Sequence, residues 1–423
     1  MTFQLDLRSD RVYYRKRPIS IITMPRTSVS ANRTKGGPTS SAGRRIRCPE
    51  GYTAYVPDAL PPRIEWTERL VRVLSDADRA IGRLAGEGGR LPNPHLLIRP
   101  FIRREAVLSS KIEGTQATLG ELLAAEAGAA VDRSPADLRE VANYVTALEY
   151  GVRRLETFPL SLRLICELHA RLMEGVRGNQ ATPGEFRRSQ NWIGAPGSTL
   201  ANATYVPPPP HEMKECLDRF EKFLHERTLP PLVQIGLAHT QFEAIHPFLD
   251  GNGRVGRLLI TLFLIERAVL PCPLLYLSAF FEATRQDYYG RLLGVTERGE
   301  WAPWLEYFFN GVARQSEDAL DRAERINTLL DLWRRVAARS RSQAAGGLVE
   351  LLAENPFWSV KGAAARLKVA YTTAERAIEN LRTASILSPI SKARRDRVFC
   401  ARELLAILEE PARLTPFEKT DAS

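Results

Sequence analysis

Two apolar helical segments meet at one tight join, and that join restricts the fold more than any other part of the chain. Before it, Val233, Leu237, Phe242 and Ile245 fall near one helix face. After it, Val255, Leu258, Leu259, Leu262 and Leu264-Ile265 make a nearly all-apolar helix that has to be buried. Between them runs His246-Pro247-Phe248-Leu249-Asp250-Gly251-Asn252-Gly253-Arg254-Val255-Gly256-Arg257. The pattern predicts a loop opening onto a helix N-terminus in the core, where unpartnered N–H groups and the helix dipole favour an anion. Gly251 and Gly253 let the backbone curl and approach a ligand without a Cβ in the way. Arg254 and Arg257 share the first turn, and their planar forks suit phosphate oxygens. Asp250 is a hard oxygen ligand suited to Mg²⁺ on phosphates. His246, with an ordinary pKa of about 6.5, takes a proton near neutrality. Each residue alone is an ordinary turn or capping feature. All of them within one short stretch imply phosphate-ester chemistry.

A chain of 423 residues with 44% hydrophobic content has room for two or three globular domains. The apolar runs after Arg257 are too short and too interrupted to span a membrane, so no membrane partner is expected. The net charge of +10 permits nucleic-acid contact without establishing it, and much of the excess lies in the first fifty residues. Cys48, Cys166, Cys216, Cys272 and Cys400 are scattered and odd in number, which points to a reducing, cytoplasmic setting and away from zinc. The histidines form no metal-ligand pattern, and residues 1–47 show no signal peptide.

In chain order, residues 1–50 are rich in Arg, Ser and Thr and read as a disordered basic tail. They resemble a transit peptide as much as an over-long start, with Met24 an alternative first residue. Residues 51–150 read as a helical region, with helices over 64–86 and 98–112, the second stopped by Gly114. Residues 151–310 form the core. There, Gly184 to Gly194 and Ala203 to Val206 read as a β-hairpin ended by Pro207 to Pro210. His169 and His239 sit inside helix patterns, in core or capping roles. A long charged helix spans 311–341 and a short tail covers 409–423. Residues 342–408 give three helices and two strands around a basic turn, a winged helix-turn-helix pattern. Arg376, Arg382, Arg394 and Arg395 are placed to reach DNA phosphates; Glu375 and Glu379 weigh against that, and winged helices also contact proteins. The fold class expected is mostly α, a helical core with a small β-hairpin and a C-terminal winged helix-turn-helix domain.

The stretch 246–257 resembles the signature of the Fic-domain family, His-Pro-Phe-x-(Asp/Glu)-Gly-Asn-Gly-Arg-x-x-Arg, with every motif position matched. The resemblance implies a Fic-type core and AMPylation, the transfer of AMP from ATP to a protein hydroxyl with Mg²⁺. Carried over by position, His246 is the base and Asp250 the metal ligand. Gly251, Asn252, Gly253, Arg254, Val255, Gly256 and Arg257 cradle the phosphates. Relatives that transfer the γ-phosphate instead carry Lys at the position of Gly253. Ser109, Glu113 and Gly114 resemble the inhibitory motif of class II members, (Ser/Thr)-x-x-x-Glu-(Gly/Asn), which implies a Glu113–Arg257 ion pair that misplaces ATP. The hairpin looks like the family's flap, so Asn191, Trp192, Ile193, Gly194 and Tyr205 would hold a target segment by strand addition. Tyr288 and Tyr289 resemble an adenine-side contact, though a core aromatic pair fits equally; Thr296 stands where some relatives carry Asn, which leaves base selectivity open. Implied partners are a protein bearing a Ser, Thr or Tyr hydroxyl, the chain itself, and a second copy in a homodimer. Two rival readings stay open: AMP removal or use of another nucleotide, and a DNA-binding regulator with the core as nucleotide sensor.

Overall fold

A computed structural model describes residues 42–88, 94–176, 182–195, 197–340, 342–390 and 397–414. Most of the basic tail, the basic turn with Arg394 and Arg395, and residues 415–423 lie outside the described residues. The last part of the tail departs from the expectation of disorder. Strand β1 (Gly43–Arg47) pairs antiparallel with β2 (Thr53–Pro57), with Arg45 opposite Tyr55. Composition hid this strand, because four of its five residues are Gly or Arg. Its order comes from the partner, whose Ala54 and Val56 are fully buried, and from Arg44, which reaches Glu212 at 2.8 Å.

Helices then dominate. α1 (Glu68–Gly88) and α2 (Pro94–Ile112) lead to α3 (Leu119–Glu126), opened by a capping box of Thr118 and Glu121. α4 (Pro135–Arg154) starts on a proline, as do α6 (Pro210–His225) and α7 (Pro231–Ile245), where the missing N–H costs nothing. α5 (Leu162–Leu172) is capped by Ser161. α8 (Asn252–Glu266) is buried along almost its whole length, as its apolar sequence requires. α9 (Ser278–Ala283) and α10 (Arg285–Arg298) precede α11 (Trp301–Arg339). α11 begins ten residues before the expected 311, because Pro303 falls in its first turn and is tolerated there. Its Trp304 donates from Nε1 to the Gly236 carbonyl at 2.9 Å, tying it to α7.

The C-terminal part comprises α12 (Gln343–Glu354), β3 (Phe357–Ser359), α13 (Val360–Leu367), α14 (Tyr371–Thr383), β4 (Ser388–Pro389), β5 (Val398–Cys400) and α15 (Arg402–Glu409). Its three strands form an antiparallel sheet in the order β3-β5-β4. These elements lean on the rest of the chain. Asn355 donates to the Leu123 carbonyl at 3.1 Å, and Arg104 of α2 reaches the Glu410 carbonyl at 3.1 Å. Buried Arg322 pairs with Asp318 at 2.7 Å and also donates to Glu410 and Pro411 carbonyls. On α14, Arg382 is paired with Glu379. No helix among the described residues is long and apolar enough to cross a membrane.

Candidate active site

The loop between α7 and α8 is held by side chains from outside it. His246 caps α7 in the left-handed region, at φ 48° and ψ 60°, an uncommon conformation for a residue with a Cβ. Buried Arg187 fixes it: Nε donates to the His246 carbonyl at 2.9 Å, and the backbone N–H of Arg187 donates to Pro247 at 2.9 Å. Asn191 donates to the Phe248 carbonyl at 2.8 Å. From within the loop, the Asn252 carboxamide accepts from Phe248 N–H and donates to Phe248 O, both at 2.8 Å. Gly251, at φ 77°, turns the chain into α8. Phe248 is fully buried and stacks on His169, ring centroids 3.8 Å apart.

This clamp sets the state of the imidazole. His246 Nδ1 lies 3.3 Å from the Glu243 carbonyl, which can only accept, so Nδ1 carries the proton and Nε2 keeps its lone pair. Burial, the main cause, pushes the His246 pKa down to about 4, leaving it neutral at pH 7 with the Nε2 lone pair unprotonated. The other two buried histidines hold structure. His169 bridges the Asp250 carbonyl (3.1 Å) and Gly184 N–H (2.9 Å), while His239 bridges the Gly256 carbonyl (3.1 Å) and the Tyr288 hydroxyl (2.8 Å).

Across the cradle, α2 presents Glu105 and Ser109 one turn apart on one face, and Glu113 follows directly after its last residue. Glu105 is buried and accepts from Tyr144 at 3.2 Å and from Ser278, so it pins α2 to α4 and α9. Arg257, only 2% exposed, donates from Nε to Ser109 Oγ and from Nη2 to Ser109 O, each at 2.9 Å. Its Nη2 also meets Glu113 Oε1 at 2.6 Å. Burial alone raises the Glu113 carboxyl, but Arg257 outweighs it and holds the group below the usual range. Gly253 makes the contact possible, because a Cβ there would stand 2.3 Å from Glu113 Oε1. The Glu113 carboxylate therefore lies against the first turn of α8.

Arg254 is 3% exposed, and its Nε and Nη1 have no hydrogen-bond partner among the described residues. The nearest acids, Glu140 at 3.5 Å and Asp250 at 3.7 Å, sit beyond good hydrogen-bond range. Buried guanidinium N–H groups left this way fit an anionic ligand. Asp250 accepts from Gly251 N–H at 2.6 Å, yet 58% of its side chain stays open. One exposed carboxylate beside an anion cradle fits Mg²⁺, which is held by few protein oxygens together with phosphates.

A cavity of about 570 Å³ opens beside the start of α8. His246, Gly253, Arg257 and Glu113 line it, with Trp192 to Gly194, Thr204 and Tyr205 from the flap and Tyr289, Leu292, Leu293 and Thr296 from α10. Several expectations change here. The flap is a single bridge between Ile193 and Tyr205, with hydrogen bonds of 2.8 and 3.0 Å, instead of a hairpin ladder. Pro207 to Pro210 cannot donate, and β2 pairs instead with the flap's end through Tyr55 N–H to the Val206 carbonyl at 2.9 Å. Trp192 and Ile193 are exposed, but Asn191 points inward to the loop and is not free for a target. Tyr205 donates to the Ala244 carbonyl at 2.6 Å. The Asn252 side chain is committed to Phe248, so only its backbone is left for an anion. Val255 is buried in the core. Tyr288 is 1% exposed with its hydroxyl on His239, while Tyr289 is 42% exposed. Ser109 and Gly114 fall on and just after α2, and Gly114 adopts φ 103°.

Sequence reasoning missed Arg187, Glu105 and Glu243. Arg187 carried no signal, since Arg187-Arg188 reads as surface. Glu243 had one: a lone acid on a helix otherwise buried, three residues before His246.

Comparison with known proteins agrees with this architecture. Residues 71–153 match the Fic/DOC family N-terminal model, and residues 159–264 match the Fic/DOC family model. The protein adenylyltransferase Fic of Drosophila melanogaster is 31% identical over 216 residues, 50% of this chain and 39% of that protein. Its counterpart in Drosophila yakuba is 29% identical over the same share. The chain thus spans about two-fifths of the length of these curated relatives. A Fic family protein from Desulfovibrio desulfuricans G20 shares the fold, with a TM-score of 0.55 and 19% identity over 81% of this chain and 98% of that one. Together with the loop that bears the signature, these matches identify a Fic/DOC N-terminal domain over residues 71–153 and a Fic/DOC domain over residues 159–264.

Proposed function

We propose that the chain is a protein adenylyltransferase, transferring AMP from ATP to a Ser, Thr or Tyr hydroxyl of a protein, itself included, and that Glu113 restrains it. The observation that carries this reading is the Glu113–Arg257 contact of 2.6 Å at the start of α8, with a neutral imidazole on the same cavity wall. The target oxygen attacks the α-phosphorus while His246 Nε2 takes its proton. The new oxygen–phosphorus bond forms as the bond to the bridging oxygen breaks, and pyrophosphate leaves. Backbone N–H groups at Asn252 and Gly253 and the unpartnered nitrogens of Arg254 face the negative charge, where preorganised donors contribute most. Arg257 takes the terminal phosphate once Glu113 lets it go, since two anions cannot share that corner. Asp250 would hold Mg²⁺, which neutralises charge on the phosphate oxygens. The exposed flap residues Trp192 and Ile193 present an open edge to the target.

Intact-mass analysis of the Glu113→Gly chain with ATP and Mg²⁺ tests the reading. AMP adducts on the variant well above the wild-type level are expected. A variant that stays unmodified, and modifies nothing in a host lysate, rules the activity out.

A further inference from the structure

Two acids line the cavity, and Arg257 accounts for only one of them. The other, Glu243, projects from α7 one turn before His246 and lies against α8 at Gly256. A Cβ on Gly256 would come within 2.3 Å of Glu243 Oε1. Gly253 and Gly256 follow each other along one face of α8, and each makes room for a carboxylate, Glu113 at the first and Glu243 at the second. Glu243 Oε1 is sealed from solvent and has no hydrogen-bond partner among the described residues. Glu243 as a whole is only partly buried on that wall, and since an acceptor left unmade is costly, an acid there with an unpartnered oxygen points to a donor on the ligand.

Position decides which donor. Glu243 and His246 stand three residues apart at the end of α7, and both line the cavity. With His246 serving the α-phosphorus, Glu243 is set beside the sugar, and Leu292 and Leu293 of α10 give an apolar wall for the base. We propose that Glu243 is the sugar reader of this site: its carboxylate accepts hydrogen bonds from the ribose hydroxyls and discriminates against deoxyribonucleotides. The assignment rests on the nucleotide-binding reading above. Burial pushes the Glu243 carboxyl up to about 7, against the pull of Arg257 and with help from the charge of Glu113.

Calorimetric titration of the Glu113→Gly chain and its Glu243→Leu and Glu243→Gln derivatives with ATP, 2′-deoxy-ATP and 3′-deoxy-ATP, each with Mg²⁺, tests the proposal. In the parent, at least one deoxy analogue should bind about ten- to a hundred-fold more weakly than ATP. Glu243→Leu should weaken ATP to the deoxy level and bring the ratio near one, with the neutral acceptor of Glu243→Gln in between. A purely structural role for Glu243 would weaken all three nucleotides alike and preserve the ratio, which overturns the proposal. A parent that binds ATP without preference sinks the sugar assignment alone; a parent that binds no nucleotide sinks it together with the proposed function.

Discussion

On the proposed function, the Glu113 contact keeps Arg257 from a phosphate, and replacing Glu113 removes it. Gly is well suited to that place, because Glu113 follows the last residue of α2 and precedes a left-handed Gly114. The magnitude follows from the two partners. A hydrogen bond between charged groups contributes about 1.5–3 kcal/mol when shielded. Arg257 is 2% exposed but the Glu113 side chain is 36% exposed, so solvent screening brings the figure toward the lower end, about 1.5–2 kcal/mol. At about 1.4 kcal/mol per decade, the restraint amounts to roughly a ten- to thirtyfold suppression. Initial rates of label transfer from α-labelled ATP should rise by that factor in Glu113→Gly. Glu113→Gln keeps the shape and loses the charge, so it should show a smaller gain. Equal rates in wild type and Glu113→Gly, with unchanged circular dichroism, would refute the reasoning.

Other consequences are as specific. His246→Ala should cut transfer by about 10²–10⁴-fold, the usual weight of a general base, while calorimetry shows ATP binding largely retained. Glu243 should make stability depend on pH: its folded pKa is raised to about 7, so its stabilising contribution is whole below the unfolded value of 4.5 and lost as pH rises through 7. Thermal melts should therefore show wild type losing ground to Glu243→Gln between pH 4.5 and 7, by on the order of 3 kcal/mol; parallel pH profiles would contradict the buried carboxyl. Arg322→Met strands a buried Asp318 and frees the carbonyls of Glu410 and Pro411. Urea unfolding should reveal a loss of about 3–5 kcal/mol, and a loss under 1 kcal/mol would show the pair to be solvated.

What the sequence made legible was local. The loop from His246 to Arg257 declared an anion cradle because its chemistry is contiguous and its flanking helices are plainly apolar. The Glu113–Arg257 contact joins residues far apart in the chain, so only resemblance to a family motif drew attention to it. Residues that act through backbone carbonyls stayed hidden. Arg187 holds the left-handed His246 by its carbonyl, and no periodicity marks such a contact. The Asn252 side chain was expected on phosphate yet closes the loop on Phe248, a choice fixed by a turn geometry that residue types do not encode. Strand β1 was lost in the basic tail because its order is supplied by β2.

The most direct measurement is a crystal structure of the Glu113→Gly chain with Mg²⁺ and an ATP analogue whose α–β bridge cannot be cleaved. The account predicts the α-phosphorus facing His246 Nε2 with the terminal phosphate on Arg257. A nucleotide seated with its γ-phosphorus toward the imidazole, or a cavity that stays empty at saturating analogue, would contradict it.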